Sequence, residues 1–432
     1  MLMKINKLTF NTFAILASVV VLFASCCCDS TTKEDQKPQQ LVEVSNPEGV
    51  IVERLALIDS AFQRMVDQQL MPQAVTMMVH KGQIVHYKAH GWRNIEDSIP
   101  CERTDIFRMA SQTKAIAVCA LMTLWEQGLF QLEEPIKKYI PAFENPQVLD
   151  TYDKATNTWT TKPASRDITI RDLMTHTSGI CYAGYHWDIM KACGVHPLNS
   201  LDSIPLEEMV NRLAKAPLKH NPGEQFTYSM NIEVLGRLAE ILSGKPIDVF
   251  LKETIFDPLG MEDTYFYLPE DKVHRLVTLY TYPKGGPLQK STHELYQTYP
   301  YSGAKVYCST GAGLSGTILD YAKFCQMILN GGEFNNHRIL GRKTIEMMMR
   351  NNVKDLRGDI GFGLAWDTYR EEFLWRTPLS EGSARWGGMF GTDYIIDPKE
   401  ETIILMYVNF QHNGTGVNFK ELMHNTAYQA LK

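Results

Sequence analysis

The sequence predicts an α/β fold: an antiparallel β-sheet flanked by helices, with a mostly helical subdomain beside it. Three observations carry this reading. Both ends of the chain supply strands and a helix, and the stretch between them is mainly helical in character. The strands are short and joined by tight turns, which argues against a doubly wound parallel sheet.

Taken in order, Ile51, Leu55, Ile58, Phe62 and Met65 repeat at helical spacing and predict a core-facing amphipathic helix. Val75–Val79 and Ile84–Tyr87 read as strands, and His80-Lys81-Gly82-Gln83 between them reads as a hairpin turn. Ser111 to Gln127 is a strong helix former with Ile116, Ala117, Ala120, Leu121 and Leu124 toward one side, and Gly128 stops it. Cys181 to about His220 mixes Tyr182, Tyr185, His186 and Trp187 with glycines and prolines, and reads as an irregular insertion able to wall a pocket. Tyr394–Ile396 and Thr402–Val408 are strands joined by the turn Asp397-Pro398-Lys399-Glu400, and a helix from about Asn418 to Leu431 closes the domain.

The 432 residues suffice for one large body, and 44% apolar with 21% charged residues fits an ordinary globular interior. A formal charge of −6 offers no basic patch, so nucleic acid is not an expected partner. The first segment stands apart. Lys4 and Lys7 precede an apolar run from Phe10 to Ala24, too short for a membrane span and flanked like a secretory signal. Phe23-Ala24-Ser25-Cys26 resembles a bacterial lipoprotein cleavage site. Residues 1–25 are therefore read as a lipoprotein signal peptide and Cys26 as the lipid-carrying N-terminus. Residues 26–46, polar around Lys33–Pro38, are read as a flexible tether, and 47–432 as the globular domain. An exported protein of the bacterial cell envelope, periplasmic or on the outer surface and attached to a membrane through its lipid, is expected. None of the nine cysteines shows metal-ligand spacing, and Cys181 and Cys193 lie close enough in sequence to pair.

The chemistry is sought in S-x-x-K. On a helix, residues three apart share a face, so an ammonium sits beside the serine hydroxyl, and a serine needs such a neighbour to become nucleophilic. The pattern occurs at Ser30…Lys33, Ser111…Lys114 and Ser302…Lys305. The first lies in the tether and the third in a turn, whereas Ser111 opens a long helix. Helix-start serines are more often caps than nucleophiles, so the four letters alone decide little.

A longer set of matches, in order along the chain, decides more. Ile106–Lys114, then Thr175-His176-Thr177-Ser178-Gly179 within Ile168–Gly179, then Pro222–Ser229, Pro258-Leu259-Gly260-Met261 with Thr264, and Gly313–Thr317 through Asn330-Gly331-Gly332 resemble the serine β-lactamase-like hydrolases. That family includes penicillin-binding proteins, class C β-lactamases and family VIII carboxylesterases. The resemblance covers about residues 50 to 430 and implies the β-lactamase/transpeptidase-like fold. It implies Ser111 as nucleophile, with Lys114 beside it and Tyr228 as third member; an ammonium favours the phenolate of a neighbouring tyrosine, which can accept the serine proton. The family's second motif is often Y-x-N. Here Tyr228-Ser229-Met230-Asn231 keeps the tyrosine and leaves the substrate-binding amide lost or displaced to Asn231. A literal Y-x-N at Tyr407-Val408-Asn409 falls in a strand, where Tyr407 reads as sheet packing. The third motif is placed at Trp386-Gly387-Gly388, where glycines let substrate approach a strand edge. By the resemblance, the N–H groups of Ser111 and Met389 form the oxyanion hole.

Trp386 stands where relatives acting on β-lactams or peptide tails carry a cation, and an indole cannot pair with a carboxylate. An uncharged small-molecule ester or amide is therefore expected as substrate, hydrolysed through an acyl-enzyme, with no metal or organic cofactor implied. Two alternatives stand beside this esterase-like reading: a β-lactamase or D,D-peptidase acting on peptidoglycan-type substrates, and a non-catalytic binding lipoprotein. His176 reads as a local backbone partner and Asp393 as a strand or turn residue.

Overall fold

A strand with apolar side chains on both sides has no face to give to water, and Gln73–His80 is buried along its whole length. It lies inside the principal sheet of the computed structural model, which describes residues 37–196, 198 and 203–432. The expected signal peptide, Cys26 and the first part of the expected tether lie outside the described residues. Lys37–Lys432 forms one compact unit. The strands of the principal sheet are β1 (Val42–Glu43), β2 (Gln73–His80), β3 (Gln83–Asn94), β4 (Ile360–Phe362), β5 (Asp367–Tyr369), β6 (Ala384–Gly387), β7 (Asp393–Asp397) and β8 (Thr402–Tyr407). Their order across the sheet is β1-β3-β2-β8-β7-β6-β5-β4, with Ile99–Pro100 paired to β3 as a ninth strand. Only β1 on β3 is parallel; the other pairings in this sheet are antiparallel.

The tether expected to reach Asn46 is shorter than that. Val42 and Glu43 pair with Gln83 and Ile84, and Asn330 donates to the Pro38 carbonyl at 2.7 Å. The edge of β3 presents unpaired backbone groups, and this segment satisfies them. The predicted hairpin between β2 and β3 is present. Lys81 and Gly82 both have positive φ, 49° and 73°, the backbone that a tight two-residue hairpin turn requires.

Alternation along the central strands assigns two layers. Ala74, Met78, Ile404 and Met406 pack with Leu55, Ile58 and Phe62 of helix α1 (Val52–Asp67), and with Phe419 and Met423 of the last helix (Phe419–Tyr428). Val75, Met77, Val79, Ile403 and Leu405 face the other way, into a core shared with helix α2 (Thr113–Glu126). Helix α2 is apolar around most of its circumference, as befits an element enclosed between the sheet and the helical region. Its neighbours there include helix α3 (Asn231–Ser243) and helix α4 (Ile318–Leu329); the last helix is α5.

The segment 181–220 is less irregular than its composition suggests. It contains the helices Tyr185–Ala192 and Leu206–Leu213. Cys181 and Cys193 are free thiols. The mostly helical middle also holds a hairpin, Gln147–Asp153 with Thr158–Pro163, whose strands are largely exposed. Among the described residues no helix is long and apolar enough to cross a membrane.

Candidate active site

Ser111 does not open the long helix directly. Ala110–Gln112 form a single 3₁₀ turn, and α2 starts at Thr113. Ala110 has φ +46° in a fully buried position, a left-handed backbone that costs a non-glycine residue about 1 kcal/mol. Surrounding bonds hold that conformation. Met109 N–H donates to the Leu314 carbonyl at 3.0 Å, Thr113 Oγ1 to the Ala110 carbonyl at 2.6 Å, and Tyr321 of α4 to the Gln112 carbonyl at 3.1 Å. The turn therefore presents Ser111 at the junction of sheet and helical region.

One turn on, Lys114 Nζ donates to Ser111 Oγ at 3.3 Å and to the Gly311 carbonyl at 2.6 Å. The same ammonium lies 4.8 Å from the centroid of the Tyr228 ring. Behind it is Glu233 of α3, fully buried. Its carboxylate accepts from Ser309 Oγ at 2.6 Å, from Thr310 N–H at 2.9 Å and from Gly311 N–H at 3.2 Å. Burial pushes the Glu233 carboxyl up, against the Ser309 hydrogen bond and the Lys114 charge, which pull it down. A Cβ at Gly311 would sit 2.9 Å from Glu233 Oε1 and 3.5 Å from Lys114 Nζ, so glycine lets the two charges approach across this backbone. Sequence reading missed Glu233; its position five residues beyond Tyr228, on the helix that follows, was the available signal.

Tyr228 is ringed by aromatic groups: His176 at 4.6 Å, Trp386 at 5.2 Å and Tyr182 at 6.1 Å between centroids. Its Oη is buried and makes no hydrogen bond within the protein. His176 is buried, and two donors point at its Nδ1: Asn231 Nδ2 at 2.7 Å and Ser229 N–H at 3.4 Å. Burial holds this imidazole well below its ordinary range, so it is neutral and supports the Tyr228 loop. Asn231, the candidate for the displaced substrate amide, does not reach the cavity. It is fully buried at the start of α3, with Nδ2 engaged by His176 and Oδ1 accepting from Ser178 Oγ. Entry into the helix turns it away, and Ser229 and Met230 line the cavity at this point instead.

The third wall is β6 and the turn after it. A Cβ at Gly388 would stand 2.3 Å from the Met109 carbonyl and 2.5 Å from Thr392 Oγ1, so only glycine lets this strand end close against the Ser111 segment. Gly388 N–H donates to the Thr392 carbonyl at 2.8 Å, and Gly391 N–H to the Gly388 carbonyl at 3.1 Å. That small loop places the exposed Met389 beside the cavity mouth.

The cavity, about 950 Å³, is lined by Ser111, Lys114, Tyr228, Trp386, Gly387, Gly388 and Met389. Residues from three distant stretches of sequence thus meet at one place, and Asn231 alone among the expected site residues does not. Of the aromatic residues in the 181–220 segment, Tyr182 and Trp187 line the cavity. Tyr185 is half exposed and stacks on Tyr152 instead. An uncharged substrate was expected from the indole at 386, yet the wall near Trp386 is itself charged. Arg357, Arg385 and Lys420 line it, with Asp367 and Asp393. Arg357 pairs with Asp367 and lies over the Phe226 ring at 4.7 Å. Arg385 and Asp393 flank the Trp386-Gly387-Gly388 motif, whereas Arg357 comes from a turn, Asp367 from β5 and Lys420 from α5, so the fold alone gathers them on one wall.

The model of the family described as Beta-lactamase matches residues 58–425 of the chain. Protein Rv1367c of Mycobacterium tuberculosis (strain ATCC 25618 / H37Rv) is 30% identical over 364 residues, covering 81% of this chain and 88% of that protein. Esterase EstB of Burkholderia gladioli is 26% identical over 380 residues, covering 83% and 91%. The solved structure of EstCE1, a hydrolase with promiscuous acyltransferase activity, superposes with a TM-score of 0.72 at 23% identity, covering 87% of this chain and 99% of that one. Matching over most of its length, and carrying S-x-x-K at the floor of its cavity, this chain belongs to the β-lactamase family of serine hydrolases.

Proposed function

We propose that the protein hydrolyses a small ester or amide through an acyl-enzyme, in the manner of an esterase, with Ser111 as nucleophile. The observation that carries this is the position of Lys114 Nζ, 3.3 Å from Ser111 Oγ and 4.8 Å from the Tyr228 ring centroid. Ser111 Oγ attacks the acyl carbonyl and its proton passes to the Tyr228–Lys114 pair, which acts as one base. The N–H groups of Ser111 and Met389 receive the carbonyl oxygen as it becomes negative. The pair then protonates the leaving group, and water attacking the acyl-enzyme regenerates Ser111. Esterase EstB, similar over most of both chains, supports an ester as the substrate class.

The test is a series of p-nitrophenyl esters of increasing acyl length, hydrolysed by wild type and by Ser111→Ala, with fluorophosphonate labelling of both. The reading requires turnover and labelling by wild type and loss of both in the variant. Equal, slow hydrolysis by the two proteins would overturn it. Efficient opening of a chromogenic cephalosporin would move the assignment to a β-lactamase.

For location, the pattern around Cys26 supports export and attachment to the bacterial envelope through a lipid on that residue. Incorporation of an alkyne-tagged fatty acid by the full chain, absent from Cys26→Ser, is the expected result; equal incorporation would refute it.

A further inference from the structure

The charged wall beside Trp386 has a definite organisation. Asp393 is buried and shared by three partners: Arg385 Nη2 at 3.1 Å, His424 Nε2 at 2.8 Å and Lys420 Nζ at 3.4 Å. Arg385 also donates through Nε, at 3.2 Å, so its guanidinium grips the carboxylate with two nitrogens. Burial pushes the Asp393 carboxyl up, but Arg385 and Lys420 more than offset this and hold it well below the usual carboxylate range. One permanent negative charge thus faces two permanent positive ones. Arg357 and Asp367 satisfy each other. Along this wall three cations stand against two carboxylates, which leaves one positive charge unmatched.

The unmatched charge can be assigned to a residue. Of the groups on Asp393, Lys420 has the longest contact, and its side chain is 33% exposed against 25% for Arg385. It reaches over β6 from α5: a Cβ at Gly387 would lie 2.7 Å from Lys420 Nζ. Glycine at 387 therefore leaves room for the ammonium to lie on the strand edge, in the same cavity as Ser111 and next to the Met389 turn.

We propose that Lys420 is a specificity-determining residue that binds an anionic group on the substrate, so that the preferred substrate is an ester or amide carrying a carboxylate or comparable anion. The indole at 386 removes a cation from the strand, and Lys420 brings one to the same strand edge from the C-terminal helix. Asp393 holds the ammonium in place without neutralising the wall. This inference rests on the serine-hydrolase reading of the site and narrows its substrate class.

The experiment compares p-nitrophenyl butyrate with the p-nitrophenyl monoester of glutaric acid, a chain of similar length that ends in a carboxylate. The quantity read is the ratio of kcat/KM for the anionic ester to that for the neutral one, in wild type, Lys420→Ala, Lys420→Glu and Lys420→Arg. A charge-assisted contact of this kind predicts that Lys420→Ala lowers the ratio about 10-fold, mainly through KM. Lys420→Glu lowers it further, Lys420→Arg restores most of it, and added salt raises KM for the anionic ester in wild type. Melting temperatures of the variants check that the fold is kept. The same ratio in wild type, Lys420→Ala and Lys420→Glu, with both esters still cleaved in a Ser111-dependent way, would overturn this inference alone. Cleavage of neither ester by wild type would end the underlying reading as well.

Discussion

Asn409 clamps the main chain of Arg108 from both sides. Its Oδ1 accepts the Arg108 N–H at 3.0 Å and its Nδ2 donates to the Arg108 carbonyl at 3.2 Å. The same Oδ1 takes a bond from Arg108 Nη1 at 3.2 Å, while the guanidinium also donates to the carbonyls of Val277, Tyr296 and Gln297. Arg108 is fully buried among neutral acceptors, and burial pulls its guanidinium down to about 10. The segment just beyond β8 thereby fixes the backbone two residues before the 3₁₀ turn that carries Ser111.

Asn409→Ala leaves a buried N–H, a buried carbonyl and part of a buried cation without partners. A loss of about 2–4 kcal/mol is expected. Urea denaturation followed by tryptophan fluorescence measures it, and a midpoint equal to wild type would show that the clamp is not needed. Because the segment leads to Ser111, kcat on a p-nitrophenyl ester falls together with stability.

Tyr228→Phe separates chemistry from folding. Tyr228 Oη has no hydrogen bond within the protein, so removing it sacrifices none, and the melting temperature stays level or rises. The base role predicts a fall in kcat of about 10²- to 10⁴-fold with KM little changed. A variant with wild-type kcat would remove Tyr228 from the mechanism.

Gly388→Ala tests the close approach of β6 to the Ser111 segment. The added methyl meets the Met109 carbonyl at 2.3 Å, and backbone does not yield easily. A stability loss of about 1–3 kcal/mol is expected, and the Met389 turn moves away from Ser111. With the oxyanion donor displaced, kcat drops about 10²-fold. Differential scanning calorimetry and steady-state kinetics read the two effects, and unchanged values in both would show that the strand end tolerates a wider gap.

Acid weakens the protein through buried imidazoles of the sheet. His86 on β3 bonds to Thr76 Oγ1 at 2.8 Å, and burial first, then the charges of His90 and Lys88, lower it to about 3; burial lowers His90 to about 4. Unfolded histidines take up protons near pH 6.5. Between that value and the folded values the unfolded chain binds more protons, so stability is full above about pH 6.5 and drains away as pH falls. Each such histidine contributes a slope of up to about 1.4 kcal/mol per pH unit. His86→Gln should flatten the dependence of urea midpoint on pH between 6.5 and 4.5, and an unaltered slope would place the acid sensitivity elsewhere.

The centre of the sheet was legible because β2 and β8 are largely apolar on both sides and bounded by turns with forced backbone. Lys81-Gly82 and Asp397-Pro398 announce themselves. Ser111, Lys114 and Tyr228 were legible because each sits inside a local motif. Asn231 misled because spacing along a loop does not say on which side of a helix entry a side chain will fall. Glu233, Arg357, Arg385 and Lys420 escaped notice for a related reason. Glu233 and Arg385 sit near motifs but carry no motif letter of their own, Arg357 and Lys420 sit in unmarked segments, and only the tertiary arrangement lines the four up on one cavity. His176 and Asn409 belong to the same lesson: their work is to hold other residues, and such support leaves no periodic mark.

The pairing of β2 with β8 has a bearing on how the protein is made. Thr402 lies opposite His80 and Tyr407 opposite Val75, so the innermost strand waits for a partner from the far end of the polypeptide. During synthesis the β2–β3 hairpin emerges early with one edge bare and both surfaces greasy. Contacts so distant in sequence make closure slow. A chain released before Thr402 would keep that sticky edge permanently, so nonsense truncations just upstream of Thr402 should yield aggregates rather than weakened enzyme.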